Sequence, residues 1–169
     1  MIHSGDVIGT YRRVVIHPMG KPFIQSGNEF PVFEFDDTTF GVLVCFEIAF
    51  PELTRIIALK GASIIFVPAS VPEESDYLWD ARLKARAIDD QLFVVGVNRC
   101  GEIGNEQYLG RSMVVSPQGE IVYECKNGEE PVELDLEEIV KERGSEPTFS
   151  EFEIVVYDKF LECFKKREE

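Results

Sequence analysis

The sequence predicts an α/β protein in which helices cover a sheet. Apolar runs rich in Val, Ile and Phe recur at residues 30–35, 40–45, 63–67 and 92–97. Helix-period segments separate them at 51–60 and 76–89. The central runs are almost wholly apolar, as strands covered on both faces must be.

Taken in order, the runs at 30–35 and 40–45 read as the first two strands of this layered body. The helix at 51–60 opens on Pro51, whose missing amide hydrogen is harmless in a first turn, and it places Leu53, Ile56 and Ile57 on one face. A strand at 63–67 leads to the helix at 76–89. Its apolar stripe is expected at Leu78, Ala81, Ala85 and Ile88, with Asp80, Arg82, Lys84 and Arg86 directed elsewhere.

After the strand at 92–97 the pattern changes. Residues 111–116 and 120–123 flank Pro117-Gln118-Gly119, a turn-like link that predicts a hairpin, and 132–134 are expected to add a strand. A helix is expected at 136–143. Residues 144–169 form a tail whose aromatic content predicts packing or oligomerisation. No repeat, low-complexity stretch or composition break divides the chain, so 1–169 is expected to be one unit.

The chain has 169 residues and 44% hydrophobic content, enough for a substantial core. Thirty-one acidic against 17 basic residues leave a net charge of -14, which repels phosphate backbones and anionic lipid. Neither nucleic acid nor a membrane is expected as a partner. No apolar run reaches the roughly 18 residues that a bilayer span needs, and no basic start precedes an apolar block, so the expected location is the cytoplasm. Cys45, Cys100, Cys125 and Cys163 form no CxxC pair, and the only histidines are His3 and His17. No metal site, disulfide framework or cofactor is expected.

The stretch at 39–60 carries the chemistry. Gly41-Val42-Leu43-Val44 leads to Cys45 at the end of an apolar strand, and Phe46-Glu47-Ile48-Ala49-Phe50-Pro51-Glu52 leads on into a helix. Such a turn exposes a thiol and backbone amides at the carboxyl end of a strand, where ligands bind in layered α/β folds. The Phe46 amide is then placed to stabilise an oxyanion. A cysteine ending an apolar strand is on its own more often packing than catalyst.

Its neighbours reverse that reading. Cys45-Phe46-Glu47 followed by Phe50-Pro51-Glu52 closely resembles the signature of the nitrilase superfamily of carbon-nitrogen hydrolases. Lys60-Gly61-Ala62, Trp79, Arg86-Ala87-Ile88-Asp89, Asn98, Gly110-Arg111-Ser112 and Pro117-Gln118-Gly119-Glu120 follow in the expected order. The resemblance implies an αββα sandwich, incomplete here because the chain is similar to roughly the last three-fifths of a member. It also implies a thiolate that attacks an amide, nitrile or carbamoyl carbon, with Cys45 as nucleophile.

The family's other functional residues transfer unevenly. Tyr11-Arg12-Arg13 stands where members have Tyr-Arg-Lys, so Arg13 occupies the position of the catalytic lysine. Arginine keeps the charge but not the compact ammonium. Lys21 is read as a solvated loop residue or a substitute for that lysine, and Glu29 and Glu34 as surface carboxylates. The general-base glutamate is expected in an N-terminal region that this chain lacks, supplied by an upstream or separately encoded segment if at all.

Glu47 is expected either to orient the pocket through hydrogen bonds or to lie exposed. Tyr77 and Trp79 are candidates for pocket walls or aromatic core, and Asn98 and Arg99 for contacts with substrate or loops. Arg86 and Asp89 are expected to pair locally, and the three other cysteines to pack or lie exposed. The expected function is hydrolysis of a small carbon-nitrogen compound by a homo-oligomer. The alternatives are a noncatalytic assembly subunit and amine acyl transfer, the latter because the Cys45 segment also resembles that of lipoprotein N-acyltransferases.

Overall fold

In the computed structural model, which describes residues 2–3, 5–125 and 130–165, the chain opens with a minimal antiparallel ladder of Ile2–His3 (β1) and Asp6–Val7 (β2). A loop then leads to the central sheet. Val32–Phe35 (β3) and Thr38–Val42 (β4) form its first hairpin, closed by a tight turn in which Asp36 takes the left-handed conformation at φ 49°. Helix α1 (Pro51–Leu59), β5 (Ile64–Ala69), α2 (Asp76–Asp90) and β6 (Phe93–Asn98) follow. An exposed hairpin of Cys100–Ile103 (β7) and Glu106–Leu109 (β8) precedes Met113–Val115 (β9) and Ile121–Glu124 (β10). The strand order in the main sheet is β10-β9-β6-β5-β4-β3. Its centre, β4-β5-β6, is parallel, and β3, β9 and β10 pair antiparallel.

The two connecting helices pack on one face, and each approaches the sheet over a glycine. A Cβ on Gly41 would lie 2.3 Å from Ile57 of α1, and one on Gly96 would lie 2.6 Å from both Leu83 and Trp79 of α2. Only a hydrogen fits at either point. Leu43, Ile65, Val67, Val94, Met113 and Val115 complete this core from the sheet side. On the other face Phe93 and Val114 pack with Ile139 of α3 (Glu137–Ser145), while Phe33, Phe40 and Phe66 form a row of ring contacts at 5.4–5.7 Å. Val97 on β6 is 50% exposed.

The α/β expectation and its principal elements hold, with shifted ends. The structure corrects the stripe on α2: Trp79, Leu83, Ala87 and Asp90 are buried, whereas Ala81 and Ile88 are exposed. The large Trp79 and Leu83 side chains win the sheet-facing side because they reach over Gly96, which the small alanines cannot fill. On α1, Ile56 turns outward and Thr54 and Ala58 join Leu53 and Ile57 inside. Residues 132–134 form no strand, and β7–β8 is a hairpin where none was expected.

The tail packs in part. A turn at Pro147–Phe149 sets Phe149 against the main core and near the guanidiniums of Arg55 and Arg143, 5.0 and 4.3 Å from its ring centroid. Helix α4 (Val155–Lys165) leaves Val155, Val156, Phe160, Leu161 and Phe164 about half exposed.

Candidate active site

The parallel ladder outlasts the strand that carries it. β4 ends at Val42, but the Leu43 amide still donates to the Phe66 carbonyl at 3.0 Å. Val44 is extended (φ -98°, ψ 111°), and the chain then reverses at Cys45, which takes φ 55°. A left-handed non-glycine residue at a strand-to-helix turn is strained backbone, of the kind that clusters at functional positions. A 3-10 helix, Cys45–Ala49, follows directly, and Pro51 begins α1. The first intrahelical hydrogen bond is donated by Glu47 to the Val44 carbonyl at 3.3 Å. The Cys45 and Phe46 amides therefore precede the ladder, as the first amides of any helix do, which suits them to donate hydrogen bonds to a developing negative charge.

Glu47 is wholly buried, which overturns the exposed alternative for it. Its Oε1 accepts from the Tyr11 hydroxyl at 2.8 Å, the Val14 amide at 2.7 Å and the Val15 amide at 3.1 Å, and its Oε2 accepts from the Val44 amide at 2.8 Å. One carboxylate thus joins the strap at 11–15 to the residue before Cys45. Burial, reinforced by the Glu47 carboxylate, pushes the Tyr11 phenol far above the ordinary tyrosine range.

Arg13 rides on this strap. Its carbonyl accepts from the Gly27 amide at 2.7 Å, while its Nε and Nη2 are buried without a hydrogen-bond partner among the described residues. The His17 ring meets Phe46 edge-on at 4.9 Å, and Phe46 meets Phe50 at 5.3 Å. Lys21, Glu29 and Glu34 are exposed.

On the neighbouring strand ends, Asn98 holds loops together. Its Oδ1 accepts from the Val71 amide and its Nδ2 donates to the Gly110 carbonyl, both at 2.8 Å, while its own amide donates to Ser112 Oγ at 2.9 Å. Arg99 is exposed and lies 5.5 Å from the Tyr108 ring centroid. Trp79 is core, only 2% exposed, with its indole donating to the Arg111 carbonyl at 2.9 Å. Tyr77 is 73% exposed, which places it outside the core.

Three features escaped sequence reasoning. Arg111, at φ 52°, gathers Asp76, Asp80 and Glu124 and so ties α2 to β10. Only the Gly110-Arg111-Ser112 motif hinted at it. Asp90 is buried and paired with Arg55 at 2.8 Å, and its burial raises its pKa above the usual aspartate value against the pull of Thr54 and Arg55. The Tyr11–Glu47 bond had no local signal. The expected Arg86–Asp89 pair forms at 3.1 Å, Cys100 and Cys163 are exposed, and Cys125 is half-buried.

A cleft of about 270 Å³ lies between α1, the end of α2 and α4, lined by Arg55, Asp90, Phe152, Val156, Tyr157 and Phe160. Arg55 and Asp90 pair with each other there, and no sequence candidate for the site lines it. The Cys45 turn is the better candidate site: it joins a thiol, the leading amides of a 3-10 helix and, through Glu47, the strap that bears Arg13.

The family model for carbon-nitrogen hydrolases matches residues 1–142. The chain belongs to the carbon-nitrogen hydrolase family. Among relatives of this hydrolase family, the chain is 35% identical over 160 residues to the hydrolase in the agr operon of Staphylococcus aureus, covering 91% of this chain and 61% of that protein. It is 31% identical over 158 residues to 2-oxoglutaramate amidase of Bacillus subtilis, with the same two coverages, 91% and 61%. The crystal structure of a carbon-nitrogen hydrolase from Helicobacter pylori matches with TM-score 0.85 at 27% identity, over 93% of this chain and 62% of that one. A Saccharomyces cerevisiae member of branch 10 of the nitrilase superfamily matches with TM-score 0.77 at 30% identity, over 85% and 54%. The chain spans about three-fifths of the length of these curated relatives.

Proposed function

We propose that this carbon-nitrogen hydrolase cleaves a small amide, nitrile or carbamoyl compound through a thioester on Cys45. The observation that carries this reading is the strained Cys45 turn, which presents a thiol beside the leading amides of a helix and is joined through Glu47 to the strap bearing Arg13. For an amide, the sulfur forms a bond to the carbonyl carbon and the C–N bond breaks, releasing ammonia once the nitrogen takes up a proton. Water then attacks the thioester, giving the carboxylic acid and the thiol again. The Phe46 amide stabilises the oxyanion in both steps, and Arg13 supplies positive charge in place of a lysine.

The general base comes from a segment outside the matched three-fifths, either continuous with this chain or a partner to it. A homo-oligomer in the cytoplasm is the proposed setting. Among the described residues, no helix is long and apolar enough to cross a membrane.

The test is ammonia release from a panel of small amides and nitriles, with intact-mass trapping of the acyl-protein, for the wild type and Cys45→Ala. An acyl adduct at Cys45 and loss of turnover in the variant are expected. Turnover that survives Cys45→Ala overturns the reading. Hydroxylamine intercepting the thioester while ordinary water does not would favour amine acyl transfer instead.

A further inference from the structure

Glu47 lies two residues beyond Cys45 and is wholly out of solvent. A buried carboxylate is tolerated where donors saturate it. Four donors do so here, and their origin matters more than their number. Tyr11, Val14 and Val15 come from one strap, and Val44 is the residue immediately before Cys45. Glu47 is therefore the joint between the segment bearing Arg13 and the segment bearing the thiol.

Arg13 does little to place its own side chain. Its buried Nε and Nη2 have no hydrogen-bond partner among the described residues, so bonds made by those atoms do not locate the guanidinium. The strap's backbone and Tyr11 hydroxyl, held by Glu47 on one side and by the Gly27 amide on the other, do that instead.

We propose that Glu47 is a positioning residue that acts on Cys45 through Arg13, fixing the strap so that the guanidinium stands at a set place relative to the thiol. This deepens the functional reading of Cys45 and Arg13 and rests on it. A purely structural Glu47 would stabilise the turn without coupling to Arg13.

A double-mutant cycle on thiol reactivity separates the two roles. The rate of iodoacetamide alkylation at Cys45, read from the mass of the Cys45 peptide so that the other thiols do not interfere, is measured near neutral pH. Wild type, Glu47→Gln, Arg13→Met and the double variant are compared. Each single variant is expected to slow this alkylation by about threefold or more, because both take the strap charge from its set place relative to the thiol. The double variant is expected to be no slower than the slower single one.

Independent, additive effects overturn the proposal, and so does a Glu47→Gln rate that coincides with wild type. If Glu47→Gln fails to melt cooperatively, Tyr11→Phe removes one donor in four and carries the same cycle with a smaller loss of rate. The readout needs no substrate. Turnover surviving Cys45→Ala would sink the functional reading alone, whereas additivity in the cycle would sink only the positioning role.

Discussion

The Tyr11 hydroxyl donates to Oε1 of Glu47 across 2.8 Å, joining positions 36 residues apart. Two backbone amides of the same strap share that oxygen, so the phenol is one member of a saturated buried set. Such a set stiffens a turn only while every donor keeps its proton.

That condition gives Tyr11→Phe a defined pH signature. The folded protein holds the Tyr11 proton more tightly than the unfolded chain does, because burial and Glu47 both raise its pKa above 10.0. The bond's contribution is fully present below that value and is lost as pH rises above it. Urea denaturation at pH 7 should show Tyr11→Phe less stable by about 1–2 kcal/mol. The gap should narrow progressively above about pH 10, and a gap that widens there contradicts the assignment.

Cys45 at φ 55° makes a second prediction that separates chemistry from backbone strain. Cys45→Ala and Cys45→Gly both remove the thiol, but only glycine adopts this conformation without a Cβ clash. Thermal melting should find the glycine variant more stable than the alanine variant by about 1 kcal/mol, with neither turning over substrate. Equal melting temperatures would mean that the turn relaxes.

The glycine seats under α1 and α2 predict intolerance of a single methyl group. Gly41→Ala and Gly96→Ala should each destabilise by about 1–3 kcal/mol, since Ile57 and the Trp79–Leu83 pair must shift. Denaturant midpoints of both variants check this, and an unchanged midpoint for either would show that the helix lifts freely.

Asp90 carries the opposite dependence from an ordinary paired carboxylate. Its folded pKa is raised by burial, so the stability it contributes is present below the unfolded value of 3.8 and lost as pH rises through the folded one. Asp90→Asn cannot lose that contribution. The melting temperature of the variant relative to wild type should therefore climb as pH rises through that window and then level off. A relative melting temperature that falls with pH would mean that Arg55 outweighs burial.

Much of this architecture was legible because apolar period is a local property. Four apolar runs marked four strands, and Pro51 marked the start of α1. The hairpin around Pro117-Gln118-Gly119 was legible too. The β7–β8 hairpin had its own signal in Gly104-Asn105, a two-residue turn with Gly104 at φ 65°, but its polar, exposed strands gave no apolar alternation to support it.

Residue types in a short, ordered pattern were enough for the α/β class and the family resemblance, and they pointed to Cys45 among the four cysteines. Folding settles which face of α2 is buried, that Tyr77 is exposed, and that Glu47 holds the Arg13 strap. Local spacing does not specify partners 30 or more residues away, and a buried carboxylate is satisfied only when folding brings those donors to it.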